Sequence, residues 1–375
     1  MNGLLVRHAE EWKNIGDYIQ SLAQEQYWDH IDLIVDREHT DTATSPIPGE
    51  KINLIMNSWW MWSPESFPPS EDINPLFISF HISPKIAERM LSEKSVAYLK
   101  RYQPIGARDT STQNILKRHG IQSYFSGCLT LTLGRTYRYQ GPREKVYIVD
   151  PEYKLFAPRA YKDWFRALFN LVRWRKKIKC LAPKFNFAKK TTFSRFSEKL
   201  NRKICATLFF DQYRKYFREE LLLEAEYLTH QVDVKHDYPT DQACLDYARV
   251  LIGKYSRAKM VITSRIHAAL PSLGLDTPVF FTESWMLDSG DIKGRLGGLL
   301  DFFDYRLKVT DHGLMPATSA IAELVSNGPI SYATPLQNSD AYIPYCKDLI
   351  AKAEEFVRSC SNTTLSENPE LNNEL

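Results

Sequence analysis

Short apolar runs alternate with amphipathic stretches along most of the chain. Residues 3–7, 31–35, 51–56 and 76–80 are strand candidates, and 14–26, between the first two, carries apolar positions at helical spacing. Pro64, Pro68, Pro69 and Pro75 mark the link between the third and fourth runs as loop. Residues 83–100 read as helix and 104–106 as a strand end. Asp109 or Thr110 then caps a helix that stops at Gly120. A second alternation begins with a strand at 145–150. It continues through a helix at 209–223, a strand at 226–232 and a helix at 241–255. Residues 260–263, 266–275 and 279–281, broken by Thr277-Pro278, form a β-α-β unit. A last helix is expected at 343–359, and the polar residues 361–375 are expected to be disordered.

This pattern predicts an α/β protein with parallel sheets. At 375 residues the chain is too long for one ordinary core. Two domains are therefore expected, 1–142 and 143–335, with a boundary near Gly141-Pro142 and a helix within 336–360 that crosses back onto the first. In open parallel sheets ligands collect at the carboxyl ends of strands, where helix N-termini offer N–H groups to anions. Ser264, Arg265 and His267 stand at one such junction, and Arg108 stands at another, just before the Asp109 cap.

Three ordered stretches carry a resemblance. Ser264-Arg265-Ile266-His267 precedes a small-residue helix and a Thr-Pro break. Pro104-Ile-Gly-Ala-Arg-Asp-Thr-Ser-Thr112 has Tyr124-Phe-Ser-Gly-Cys-Leu-Thr-Leu-Thr132 behind it, and Asn14-Ile-Gly-Asp-Tyr-Ile-Gln-Ser-Leu22 lies near the start of the chain. Together they resemble the signatures of the polysaccharide pyruvyl transferase family. The resemblance implies two Rossmann-like domains in a glycosyltransferase-B-like arrangement with an interdomain cleft. It also implies transfer of pyruvate from phosphoenolpyruvate to a sugar as a ketal.

Such a donor carries a phosphate and a carboxylate, so its site needs at least two cationic groups and preferably a helix start. Arg265 and Arg108, one per domain, meet that need, although each could instead pair with a local acid. Ketal formation also moves protons, and histidine suits that work near neutral pH. His267 is the first candidate, His81, after the strand at 76–80, the second, and His230 the third. Asn14 and Asp17 sit where the first helix begins, with Gly16 allowing a ligand near the backbone, although capping explains Asn14 equally well. Asn57 with Trp59 or Trp60 could hold a sugar by hydrogen bonding and ring stacking, although tryptophans also fill cores. Glu283, just beyond the strand at 279–281, resembles the position where glycosyltransferase-B folds hold a donor ribose, although a surface carboxylate is the plainer reading. The same fold and the same Arg-x-His also suit a glycosyltransferase with a nucleotide-sugar donor, and a noncatalytic scaffold is a third class.

Composition narrows this picture. A charged fraction of 25% and a hydrophobic fraction of 43% exclude a disordered or membrane-spanning chain. The six cysteines have no C-x-x-C pair and no histidine at ligand spacing, so neither metal nor disulfides are expected, and no cofactor is indicated. Arg7, His8, Glu10 and Glu11 precede any long apolar run, which argues against a signal peptide and for a cytoplasmic location of the surface-polysaccharide enzyme that the resemblance implies. Residues 173–203 hold twelve Lys or Arg against the single acid Glu198. With the Trp, Phe and Leu of 164–203 this predicts either a solvated face or peripheral contact with an anionic membrane, where a polyprenol-linked acceptor would lie. No nucleic-acid fold accompanies the basic run.

Overall fold

A computed structural model describes residues 1–8, 13–157, 161–185, 196–232, 237–283 and 295–367. The first sheet is assembled from parallel pairs. β1 (Gly3–Val6) pairs with β2 (Leu33–Asp36), β3 (Ile52–Ile55) with β4 (Ile73–Leu76), and β5 (Ile105–Ala107) with β6 (Ser123–Phe125). Single parallel bridges, Asn2 to Asn53 and Phe80 to Ala107, join the pairs. α1 (Ile15–Glu25) begins at Asn14, whose Oδ1 accepts the Gly16 N–H at 3.2 Å. The helix expected at 83–100 is divided. A single turn at Ala87–Met90 ends, and Ser92 then caps α2 (Glu93–Arg101) by accepting the Ser95 N–H. α3 (Thr110–Arg118) follows β5.

The second sheet has six strands, β7 (Lys145–Val149), β8 (Glu226–Leu228), β9 (Ala258–Thr263), β10 (Val279–Glu283), β11 (Arg306–Thr310) and β12 (Gly313–Pro316). Their order is β8-β7-β9-β10-β11-β12, all parallel except the last, antiparallel pair. The α/β class is thus as expected, with one sheet mixed. α4 (Tyr161–Arg173), α5 (Arg175–Leu181), α6 (Glu198–Tyr213) and α7 (Glu219–Glu224) are inserted between β7 and β8. The single helix expected at 209–223 is two, because the chain leaves α6 to bridge Phe217 to Ile330. Likewise the strand expected at 226–232 stops at Leu228. Gln231–Val232 turns to pair antiparallel with Lys13–Asn14, and the His230 carbonyl accepts the Ile15 N–H at 2.8 Å. This seam ties the second half of the chain to the start of α1.

α8 (Asp241–Ser256) and α9 (Ile266–Gly274) flank β9, and α10 (Ile343–Glu367) closes the described chain. Residues 361–367, expected within a disordered tail, continue α10; the remainder of that tail lies outside the described residues. Three apolar clusters form the interior. One belongs to the first sheet (Leu54, Phe80, Leu99) and one lies between the second sheet and the insertion (Ile148, Phe209, Phe280). The third is shared: Tyr18 and Leu22 of α1 and Leu131 pack with Leu251 of α8, Leu270 of α9 and Leu349 of α10. Trp28 meets Phe356 of α10 edge-on at 6.0 Å.

Backbone is packed on backbone in this shared region. A Cβ on Gly274, at the end of α9, would lie 2.0 Å from the Leu131 carbonyl oxygen. Gly274→Ala is therefore expected to cost about 1–3 kcal/mol by overpacking and to lower the melting temperature in scanning calorimetry. Gly253→Ala, within α8 and with only the tip of Arg257 nearby at 3.6 Å, is the contrasting control. It should be neutral or stabilising, by about 0.5–1 kcal/mol.

Candidate active site

The carboxyl ends of β5, β7 and β9 converge on a cavity of about 630 Å³ between the two sheets. At the end of β7, Asp150 adopts φ +41°. Its Oδ2 accepts both the Arg265 Nε–H and the His230 backbone N–H at 2.9 Å, and its carbonyl accepts the Ser264 hydroxyl at 2.7 Å. Arg265 is thus held by one edge, and among the described residues no hydrogen bond engages its Nη atoms. Burial opposes charge on Asp150, but Arg265 and then His230 outweigh it and hold the carboxyl below its ordinary value.

At the end of β5, Arg108 and Asp109 are both buried. Asp109 caps α3 with one oxygen, accepting the Thr112 N–H at 2.9 Å, and receives the His81 Nδ1–H on the other at 2.5 Å. A carboxylate only accepts, so Nδ1 carries the proton and Nε2 of His81 carries the lone pair. Against the effect of its burial, Asp109 is held low by His81, by Arg108 and by the Thr112 N–H. Burial, then the Arg108 charge, brings the His81 imidazole down to about 4.

His267 lies in the first turn of α9 and faces the first turn of α1. A Cβ on Gly16 would stand 3.0 Å from its Nδ1, so Gly16 is what lets the two helix starts meet. Burial first, then the charge of Arg108, pushes the His267 imidazole well below its ordinary value. Arg295, at the same wall, is pushed down to about 10 by burial and by Arg108. Among the described residues it has no carboxylate within ion-pair distance. Nε2 of His81, Nε2 of His267 and Nε of Arg108 are all buried without a hydrogen-bond partner. Buried polar atoms are rarely left so; Nε of Arg108 has the Asp109 carboxylate 3.4 Å away, whereas the His267 nitrogen, in the cavity wall, marks a place built for a ligand.

Trp59 and Trp62 form the outer wall, their rings 4.9 Å apart, with Arg37 over the first at 5.6 Å and Arg7 over the second at 5.5 Å. Glu38 fixes this platform. Its Oε1 takes Arg37, and its Oε2 accepts the N–H groups of Trp62 and Ser63 at 2.7 and 3.1 Å. Asp17 of α1 bridges Arg37 and Arg7 at 3.4 and 3.7 Å.

Of the residues singled out by sequence, the cavity wall therefore holds Asn14, Asp17, Arg108, His230, Ser264, Arg265 and His267, with His81 behind Arg108 through Asp109. Two lie elsewhere. Trp60 is fully buried among Phe67 and Phe80, because adjacent residues of an extended segment face opposite ways and Trp59 takes the outward position. Asn57 is buried and spent on Gln24 and the Gln20 carbonyl. The ring of His230 reaches the wall, but its Nε2 is bonded to the Tyr255 hydroxyl at 2.8 Å. Arg7, Arg37 and Arg295 have no motif of their own and were not legible as site residues, and Trp62 ends the tryptophan cluster at 57–62 without having been singled out within it. A larger cavity of about 710 Å³ lies beside the insertion, where Arg166 pairs with Asp211 and Glu283 with Arg306.

The family model for polysaccharide pyruvyl transferases matches residues 72–284, more than half of the chain and most of this site. The chain belongs to the polysaccharide pyruvyl transferase family. It is accordingly a transferase, and family membership indicates transfer of a pyruvyl group to a polysaccharide. No curated protein and no solved structure matches the chain. The family segment contains His81, Arg108, His230, Arg265 and His267, whereas Asn14, Asp17, the tryptophan platform and Arg295 lie outside it. Among the described residues no group of His, Cys, Asp and Glu is arranged to hold a metal ion, and all six cysteines are free thiols.

Proposed function

We propose that the donor is phosphoenolpyruvate, bound with its anionic ends between Arg108, Arg295 and the Nη edge of Arg265. The acceptor is a sugar diol of a polysaccharide or its lipid-linked precursor, presented over Trp59 and Trp62 at the cytoplasmic face of the membrane. The observation that carries this reading is the inner wall itself. Arg295 is pushed down by burial and by the Arg108 charge, and the two guanidinium groups share one wall with Nε2 of His267, which is buried without a hydrogen-bond partner. An anion with two charged ends supplies acceptors for the guanidinium groups of Arg108, Arg295 and Arg265.

The reaction balances without an added reagent. C3 of the enol takes one proton, C2 becomes electrophilic, and two sugar hydroxyls bond to C2 as the C2–O bond to phosphate breaks. Of the two hydroxyl protons, one is made good in the new methyl group and the other leaves on phosphate. His267 is the group proposed to move a proton at the reacting atoms, through Nε2, with the His81–Asp109 pair behind Arg108 as its support. We read the two sheets as two Rossmann-like bodies, 1–142 and 143–335, in a glycosyltransferase-B-like arrangement with the donor between them and α10 returning to the first.

Arg108→Ala and Arg295→Ala are each expected to lose a charge-assisted contact of about 1.5–3 kcal/mol, roughly 10- to 150-fold in phosphoenolpyruvate affinity by calorimetry. Folded variants that bind it like the parent would remove this reading. Release of a nucleoside diphosphate from a nucleotide sugar, with no phosphate from phosphoenolpyruvate, would replace it by glycosyl transfer.

A further inference from the structure

The helical insertion between β7 and β8 has an outer face that the catalytic cavity does not use. α4 packs inward through Ala167, Asn170 and the following Trp174, yet Leu168, Phe169 and Val172 on its other side are 50%, 64% and 70% exposed. Their i, i+1 and i+4 spacing puts them on one stripe, where a solvated helix would carry polar side chains. Immediately beyond, Arg173, Arg175, Lys176 and Arg214 line a recess of about 490 Å³ together with Trp174, Lys177 and Glu219. Glu219 is taken by Lys177. Among the described residues no carboxylate comes within ion-pair distance of the other four cations. The Arg214 guanidinium lies 4.6 Å from the centre of the Trp174 ring, and its Nε is buried without a hydrogen-bond partner.

We propose that this face docks on an anionic phospholipid bilayer, with Leu168, Phe169 and Val172 entering the headgroup boundary and the arginine–lysine recess taking lipid phosphates. The two halves complement that surface: an apolar stripe for the acyl boundary, and beside it a concentration of unneutralised cations for the headgroups. Attachment by this route is peripheral, since among the described residues no helix is long and apolar enough to cross a membrane. The inference stands apart from the donor chemistry, and either can fail alone.

Flotation of the full chain with vesicles of phosphatidylcholine, alone or with a third of phosphatidylglycerol, tests it. Binding is expected only with the anionic vesicles, and it should weaken as salt rises from about 0.1 M to about 1 M, where the screening length shrinks from about 10 Å to about 3 Å. The triple variant L168S/F169S/V172S and the double variant R173E/K176E should each lose at least about tenfold in vesicle affinity. Leu168, Phe169, Val172, Arg173 and Lys176 are all exposed, so both variants should keep the parent's melting temperature and phosphoenolpyruvate affinity. Equal flotation on neutral vesicles, no flotation at low salt, or a triple variant that floats like the parent would overturn the proposal. So would a dimer in sedimentation that the triple substitution dissolves, which would assign the stripe to a second copy of the chain.

Discussion

His267→Ala is expected to lower turnover by about 10²–10⁴-fold, some 3–5 kcal/mol of barrier, while phosphoenolpyruvate affinity stays within a small factor. Three observations converge on this. The imidazole sits in the first turn of α9 at the carboxyl end of β9, its Nε2 is buried without a partner, and burial and the Arg108 charge oppose its protonation. A bound anion reverses the second of those effects, so the group is placed to take up a proton only when donor is present. Single-turnover kinetics at saturating donor provide the measurement. If affinity falls and turnover is kept, His267 is a binding residue. His81 then inherits the proton, since its Nε2 is also partnerless, whereas that of His230 is committed to Tyr255.

The second large effect is loss of stability in mild acid. His81 and His230 are buried and have folded-state values of about 4, against an ordinary imidazole near 6.5. Their folded values are depressed, so the unfolded chain takes up protons first as pH falls. The stability these histidines contribute is complete above about pH 6.5 and is lost as pH drops toward about 4, by on the order of 3 kcal/mol for each. Asp109 and Asp150, held below their ordinary values, add to the loss only at still lower pH. Guanidinium midpoints between about pH 7.5 and about pH 4.5 should fall steeply. A flat profile would mean that both imidazoles titrate normally in the folded protein.

The parts of the site that were legible in the sequence are those set by local rules. A continuous apolar strand, a small-residue helix and a Thr-Pro break fix β9, α9 and β10, and so place Arg265 and His267. The Asp109 cap does the same for Arg108. What was not legible depends on pairings across the chain. His81 and Asp109 were each visible at an element end, but nothing between them announces that one carboxylate both caps α3 and holds the imidazole. Arg295 has no motif and gains its meaning only from standing beside Arg108. In the tryptophan cluster, alternation alone leaves either Trp59 or Trp60 facing outward. The choice is made by Phe67 and Phe80, which receive Trp60, and by Glu38, which fixes the backbone at Trp62. The helix break before Phe217 likewise follows from Ile330, more than a hundred residues later in the chain.

The shared interior of the two sheets constrains how such a chain can change over evolutionary time. Tyr18, Leu22 and Leu131 from one side and Leu251, Leu270 and Leu349 from the other form a single packed cluster, and the backbone of Gly274 rests on that of Leu131. Recombination that replaced one half with that of a relative would import side chains shaped for a different opposite face. Substitutions along this seam are therefore expected to be inherited in matched sets, and new sugar specificities to arise in the outer platform, where change on one side asks nothing of the other.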